Sequence, residues 1–90
     1  MNWRLSVAWT TEFTVKAAKS FRKLDKPVQR RIVEYLRALD DPRAKGKALS
    51  ANLAGFWRWR VGDYRIIAEL NDGNMLILVV AVDHRSRVYE

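Results

Sequence analysis

The chain has 90 residues, and 17 Lys or Arg against 10 Asp or Glu give it a formal net charge of +7. That length makes a single domain over residues 1–90, burying roughly 60–65% of its unfolded surface. With no Cys there is neither a disulfide framework nor a thiolate metal site, and one His excludes a histidine-cluster metal centre. The N-terminal MNWRLSVAWT holds an Arg and no long apolar run, so no signal peptide is expected. No stretch reaches the roughly 20 apolar residues of a membrane span. A soluble, cytoplasmic protein with an anionic partner is the expectation, the partner being nucleic acid, an acidic protein or a membrane surface.

In chain order, LSVAWTTEF (residues 5–13) places Leu5, Val7, Trp9 and Phe13 on one parity, as a half-buried strand does. Thr14 can cap a helix carrying Ala17, Phe21 and Leu24 at helical spacing. Asp25 reads as a second N-cap, with Pro27 in the first turn where its missing N–H costs nothing. Val28, Ile32, Tyr35, Leu36 and Leu39 then form the apolar stripe of a second helix over 26–39. Its polar side carries Arg30, Arg31 and Arg37, a solvated face that an anionic backbone could use for steering. So short a connection makes the two helices an antiparallel pair.

DDPRAKGKALSANLAG reads as a loop anchored by Leu49 and Leu53. Strands are expected at 56–61, 64–70 and 75–83, the first two joined by Gly62-Asp63 and the next by a two-residue Asp72-Gly73 turn. MLILVVAV is apolar on both parities, which predicts a central strand covered on both sides. The expected fold is α+β: β-α-α-β-β-β, a helical hairpin on one face of a mostly antiparallel four-stranded sheet.

GFWRWRVGDYR is the stretch that carries chemistry. A two-residue Gly62-Asp63 turn sets Arg60 opposite Arg65 and Arg58 opposite Ile67, with the Trp and Tyr side chains on the other face toward the helices. Like charges directly opposite cost about what a good cross-strand pair contributes, roughly 0.2–1 kcal/mol. Extending the register through Asp72-Gly73 pairs Arg65 with Val80 and turns His84 toward the arginines, with Arg85 just beyond. Two adjacent arginines are as often a plain solvated face; four of them with the only His at one rim predict an anion site. Histidine is the side-chain type that titrates near neutral pH unperturbed, but a lone His84 is more often a surface histidine than a catalyst. The Trp residues, at strand alternation, read as core, and Tyr89 reads equally as core plug or exposed ring.

The blocks FRKLDKPVQRRIVEYLRALDDP, LAGFWRWRVGDYRIIAEL and VVAVDHRSRVYE, in this order from Trp3 onward, resemble the RelE/ParE superfamily of bacterial toxins, closest to its RelE branch. The resemblance implies a type II toxin acting as a ribosome-dependent mRNA endoribonuclease that needs no metal or cofactor. Its substrate would be mRNA in the ribosomal A site, cut by 2′-OH attack on the adjacent phosphate. It also implies a cognate antitoxin, expected to be acidic and partly disordered, and a toxin–antitoxin hetero-oligomer.

By the same resemblance, Arg58 and Arg60 match positions that contact the RNA backbone. Arg65 matches one that stabilises the scissile phosphate, Arg85 one that stabilises charge or donates a proton, and Tyr89 one that stacks on a base. Arg58 and Arg60 stand where familiar members carry Lys, a candidate base. Arginine does not act as a base, so that departure leaves His84 as the expected proton-transfer group and keeps open an inactive RNA- or ribosome-binding relative. A ParE-like toxin of DNA gyrase, which shares the fold, is the other alternative.

Overall fold

The structure is a computed structural model that describes residues 9–87. Its elements are β1 (Thr10–Phe13), α1 (Val15–Arg22), α2 (Lys26–Arg37), α3 (Pro42–Lys45), β2 (Lys47–Ala48), β3 (Trp57–Val61), β4 (Tyr64–Asn71) and β5 (Leu76–His84), with short 3₁₀ turns at Ala51–Leu53 and Arg85–Arg87. Part of the expected first strand, residues 5–8, lies outside the described residues, as does Tyr89.

Both long helices start where the sequence places them. The Thr14 hydroxyl accepts the Ala17 N–H at 3.1 Å, relieving one of the orphan donors of the first turn of α1. Asp25 holds the N-cap position of α2, with Pro27 in its first turn, but makes no side-chain cap bond. The short interhelical connection is closed by Gln29 instead, whose amide donates to Leu24 O at 2.8 Å. The apolar stripes of both helices then fold onto one face of the sheet, burying Ala17, Ile32, Leu36 and Leu39 against Trp59, Val61, Ile66, Ile77, Val79 and Val82. Trp59 is fully buried, which at 25 cal/mol per Å² corresponds to about 4–6 kcal/mol of transfer free energy.

The sheet has five strands rather than four, in the order β1-β5-β4-β3-β2. The extra strand comes from the predicted loop, where Lys47 and Ala48 pair antiparallel with Arg58 and Trp57. The same segment forms α3, tied down because the Trp59 indole N–H donates to Pro42 O at 2.9 Å. Gly46 lies against this indole: a Cβ there would stand 2.9 Å from Nε1. Strand β1 runs parallel to β5, and its direction carries on through Thr14, whose N–H donates to Val79 O.

The register of β3 and β4 is the expected one, with Arg60 opposite Arg65 and Val61 opposite Tyr64. That of β4 and β5 is not. The connecting loop has four residues, since Asn71 pairs with Leu76, and it closes through Met75 N–H to Asp72 O and Asn74 N–H to Asn71 Oδ1. A bulge follows: Ile67 pairs with Ala81 and Ala68 with Val79, leaving Val80 without a partner position. Arg65 therefore faces Asp83 instead of Val80, and His84 faces Tyr64. Lengthening the loop by two residues leaves the faces of β5 unchanged, but the single extra residue of the bulge exchanges them.

The expected double cover of β5 is also corrected. Ile77, Val79 and Val82 are buried beneath the helices, whereas Leu76, Leu78, Val80 and Ala81 on the other side are only half-buried. None of the described helices is long and apolar enough to cross a membrane.

Candidate functional site

Antiparallel partners point to the same face, so the register sorts the side chains at the Gly62-Asp63 end of the sheet into two rows. Val61, Tyr64 and His84 look toward the helices; Arg60, Arg65 and Asp83 look away from them. Two residues further from the turn, Arg58 joins the second face beside Ile67 and Ala81.

The arginines of that face differ in what they can offer. Arg65 is only 6% exposed, and its Nη1 donates to Gly62 O at 3.2 Å and to Tyr64 O at 3.1 Å. It thus braces the turn that brings the site together. Arg58 is 5% exposed and lines a cavity of about 220 Å³ under the Lys47–Leu53 segment. Arg60 is exposed. The expectation of one open arginine face therefore holds for Arg60, while Arg58 and Arg65 lie inside.

Two further guanidinium groups reach the turn from outside the sheet. The Arg85 N–H donates to Asp63 O at 2.7 Å, and its exposed side chain places Nε 3.9 Å from Asp63 Oδ1. From α2, Arg31 comes so close that a Cβ on Gly62 would stand 2.9 Å from its Nη1. Gly62 also holds φ +60°, a left-handed conformation that glycine adopts without steric cost. The turn is thus ringed by Arg31, Arg60, Arg65 and Arg85. Arg30 is not among them, lining instead a groove between α1 and α2 with Phe21, Val33 and Arg37.

His84 is half-buried and sits across the sheet from the place its parity predicts. Its ring stands edge-on to Tyr64, centroids 5.5 Å apart at 87°. The Ser86 N–H donates to His84 Nδ1 at 3.3 Å, and the Ser86 hydroxyl lies 3.1 Å from the same nitrogen. An amide N–H can only donate, so Nδ1 must carry its lone pair, and in the neutral ring the proton rests on Nε2. The ring borders an open cavity of about 390 Å³ that Ser20, Lys23, Asp83 and Arg87 also line, so Asp83 sits at the edge shared by this cavity and the arginine face.

Sequence reasoning missed Asp83, the carboxylate that takes the place opposite Arg65. Its signal was hidden by the bulge, because in an all-apolar strand no alternation marks where the register slips.

At the far end of the sheet, Arg43 clamps Asp72 with two bonds of 2.7 and 2.9 Å and lies over the Trp57 ring at 5.5 Å. The hydrogen bond from Arg43 holds the Asp72 carboxyl below the usual carboxylate range. This pair secures α3 to the β4–β5 loop and takes no part in the rim. Among the described residues, no group of three or more His, Cys, Asp or Glu comes together as a metal site.

A cationic rim built on a turn is a device for holding phosphate oxygens, and the comparisons with known proteins bear on whose device it is. The family model described as the ParE toxin of the type II toxin–antitoxin system parDE matches residues 11–89. Toxin RelG of Mycobacterium tuberculosis is 32% identical over 85 residues, spanning 90% of this chain and 95% of the relative. Among solved structures, the toxin–antitoxin complex RelBE2 of the same organism superposes with a TM-score of 0.78 at 32% identity, over 88% of this chain and 100% of the other. The archaeal RelE–RelB complex of Pyrococcus horikoshii follows at 0.67 and 25% identity, over 91% and 100%. With the family model spanning nearly the whole chain and a relative of this identity matched almost end to end, the chain belongs to the RelE/ParE superfamily of type II toxin–antitoxin toxins.

Proposed function

We propose that this toxin is a ribosome-dependent mRNA endoribonuclease of the RelE kind. The observation that carries the reading is the convergence of Arg31, Arg60, Arg65 and Arg85 on one glycine turn. Relatives named RelG and RelE support it. The reaction asks little of the protein, because the nucleophile belongs to the substrate. A ribose 2′-OH attacks its adjacent phosphate, the P–O5′ bond breaks, and a 2′,3′-cyclic phosphate and a 5′-OH result.

The protein must hold the backbone in line and stabilise the charge that builds on the phosphoryl oxygens. In this reading exposed Arg60 and Arg85 contact those oxygens, and Arg65 fixes the turn and lends its charge from beneath. Arg58 adds charge from inside, Arg31 steers the strand at the turn, and Tyr89 stacks on a base. His84, its ring on the helix face, is left out of proton transfer. The substrate confines the action to the cytoplasm.

A cognate antitoxin completes the proposal, since structural neighbours include toxins crystallised with their RelB partners. A net charge of +7 favours an acidic, partly disordered partner that folds on binding. The test in cells is primer extension on mRNA after induction of the toxin. Cuts within translated codons that vanish with Arg85→Ala are the expected result; intact transcripts during growth arrest would refute the reading.

One observation favours a second reading. The matching family model is described as a ParE toxin, so inhibition of DNA gyrase is the alternative. A supercoiling assay with the purified toxin separates the two.

A further inference from the structure

Every strand-cleaving step of this kind needs a group to accept the proton of the 2′-OH, and none of the arginines that ring the turn can be that group. Guanidinium groups stay protonated. The His84 ring is on the other face of the sheet, with Nδ1 engaged by the Ser86 N–H. Lys47 shares the arginine face opposite Arg58, but it lies two strands across and two residues along from Arg65, about 12 Å away. Glu69, on the same face, is four residues along β4 from Arg65, about 13 Å. Asp63 sits in the turn itself, its backbone oxygen taken by the Arg85 N–H and its carboxylate near Arg85 Nε.

Asp83 is placed differently from all of these. The row Arg60, Arg65, Asp83 crosses three adjacent strands on one face, so its Cβ stands about 4.5–5.5 Å from that of Arg65. It is half-buried and next in sequence but one to Arg85. A carboxylate is acceptor-only when ionised, the state in which a base is ready to act.

We infer that Asp83 is the general base of the cleavage, an inference that rests on the nuclease reading of the rim. The Asp83 carboxylate takes the proton from the 2′-OH as O2′ forms its bond to phosphorus. The P–O5′ bond breaks and its electron pair leaves on O5′, which takes a proton from solvent water. The carboxylic acid then returns its proton to water, so the enzyme ends as it began. Arg60, Arg65 and Arg85 carry the phosphoryl charge throughout. The bulge at Val80 has a use in this scheme, since it brings a carboxylate onto the arginine face and takes the imidazole off it.

The experiment is single-turnover cleavage of ribosome-bound mRNA by the full-length toxin, comparing wild type, Asp83→Asn, Asp83→Glu and His84→Gln. Ribosome binding and the unfolding transition are measured beside each. Asp83→Asn is expected to slow cleavage about 10²–10⁴-fold while ribosome binding holds. His84→Gln loses far less, and Asp83→Glu, which keeps a carboxylate, recovers at least about ten-fold of the loss. A substrate with sulfur at the 5′-bridging position eases leaving-group departure, and the Asp83→Asn deficit relative to wild type should persist with it.

Wild-type rates in Asp83→Asn, restoration by the sulfur substrate, or a full loss that falls on His84→Gln instead would each overturn the assignment. A Glu variant as slow as the Asn variant would overturn it as well, and it serves as the deciding comparison if the Asn variant does not fold. Active wild type with unimpaired Asp83→Asn sinks this inference alone; an inactive wild type on ribosomes sinks the nuclease reading and this inference with it.

Discussion

Replacing Arg65 with Ala is expected to act twice, on stability and on chemistry, and the structure sets the size of the first effect. The residue is 6% exposed, and its guanidinium gives two charge-assisted hydrogen bonds, at 3.2 and 3.1 Å, to the carbonyls of Gly62 and Tyr64. Bonds to charged groups contribute about 1.5–3 kcal/mol each. Both come from the same Nη1, and the exposed turn lets water replace part of the loss, so the pair together is worth about 2 kcal/mol. For a domain of this size that lowers the melting temperature by roughly 8–16 °C. Against a total stability of about 5–13 kcal/mol the variant still folds. Thermal unfolding followed by circular dichroism reads the first effect, and single-turnover cleavage well below the lowered midpoint reads the second. An unchanged melting temperature would refute the bracing role, and wild-type cleavage by a folded variant would remove Arg65 from the site.

Gly62→Ala forces a side chain onto φ +60° and toward Arg31 Nη1 at 2.9 Å. A loss of about 1–2 kcal/mol in urea unfolding is expected, with the flexible guanidinium giving way at little further cost. Trp59→Phe leaves the Pro42 carbonyl without its indole donor, so a destabilisation of about 1–3 kcal/mol should appear in the same assay. For Asp72, the folded-state carboxyl lies below its unfolded value because of Arg43, so the pair stabilises above the unfolded pKa and that contribution fades as pH falls below about 4. Asp72→Asn should therefore be less stable than wild type at pH 6, with the gap closing in acid; a gap independent of pH would contradict the assignment.

What the sequence made legible was whatever alternation or spacing could fix. The stripes through Ile32 and Leu36 and the capping hydroxyl of Thr14 set both long helices. WRWRVGDYR alternates strictly about a glycine turn, so the Arg60–Arg65 pair is legible in the sequence alone. MLILVVAV offers no alternation, and a strand without it does not declare its register. The bulge at Val80 was invisible for that reason, and with it the exchange of His84 for Asp83 on the arginine face. Asp72-Gly73 signalled a two-residue turn, yet Asn71 Oδ1 captures Asn74 N–H and Met75 takes φ +50°, giving four loop residues. The β2 strand is two residues of polar loop recruited by the edge of β3, and a stretch that short carries no period. Burial of Arg58 follows from that same segment folding over it, a tertiary effect that local sequence does not encode.

The central claim is that the arginine-ringed turn cleaves RNA on the ribosome, and one measurement reaches it directly. Purified toxin is added to ribosomes carrying a defined mRNA in the A site, and the new 3′ ends are resolved chemically. The account predicts cuts ending in 2′,3′-cyclic phosphate with 5′-OH partners, slowed about 10²–10³-fold by Arg85→Ala, the usual cost of losing one charge-stabilising donor. Uncut mRNA at toxin concentrations that saturate the ribosome would contradict it.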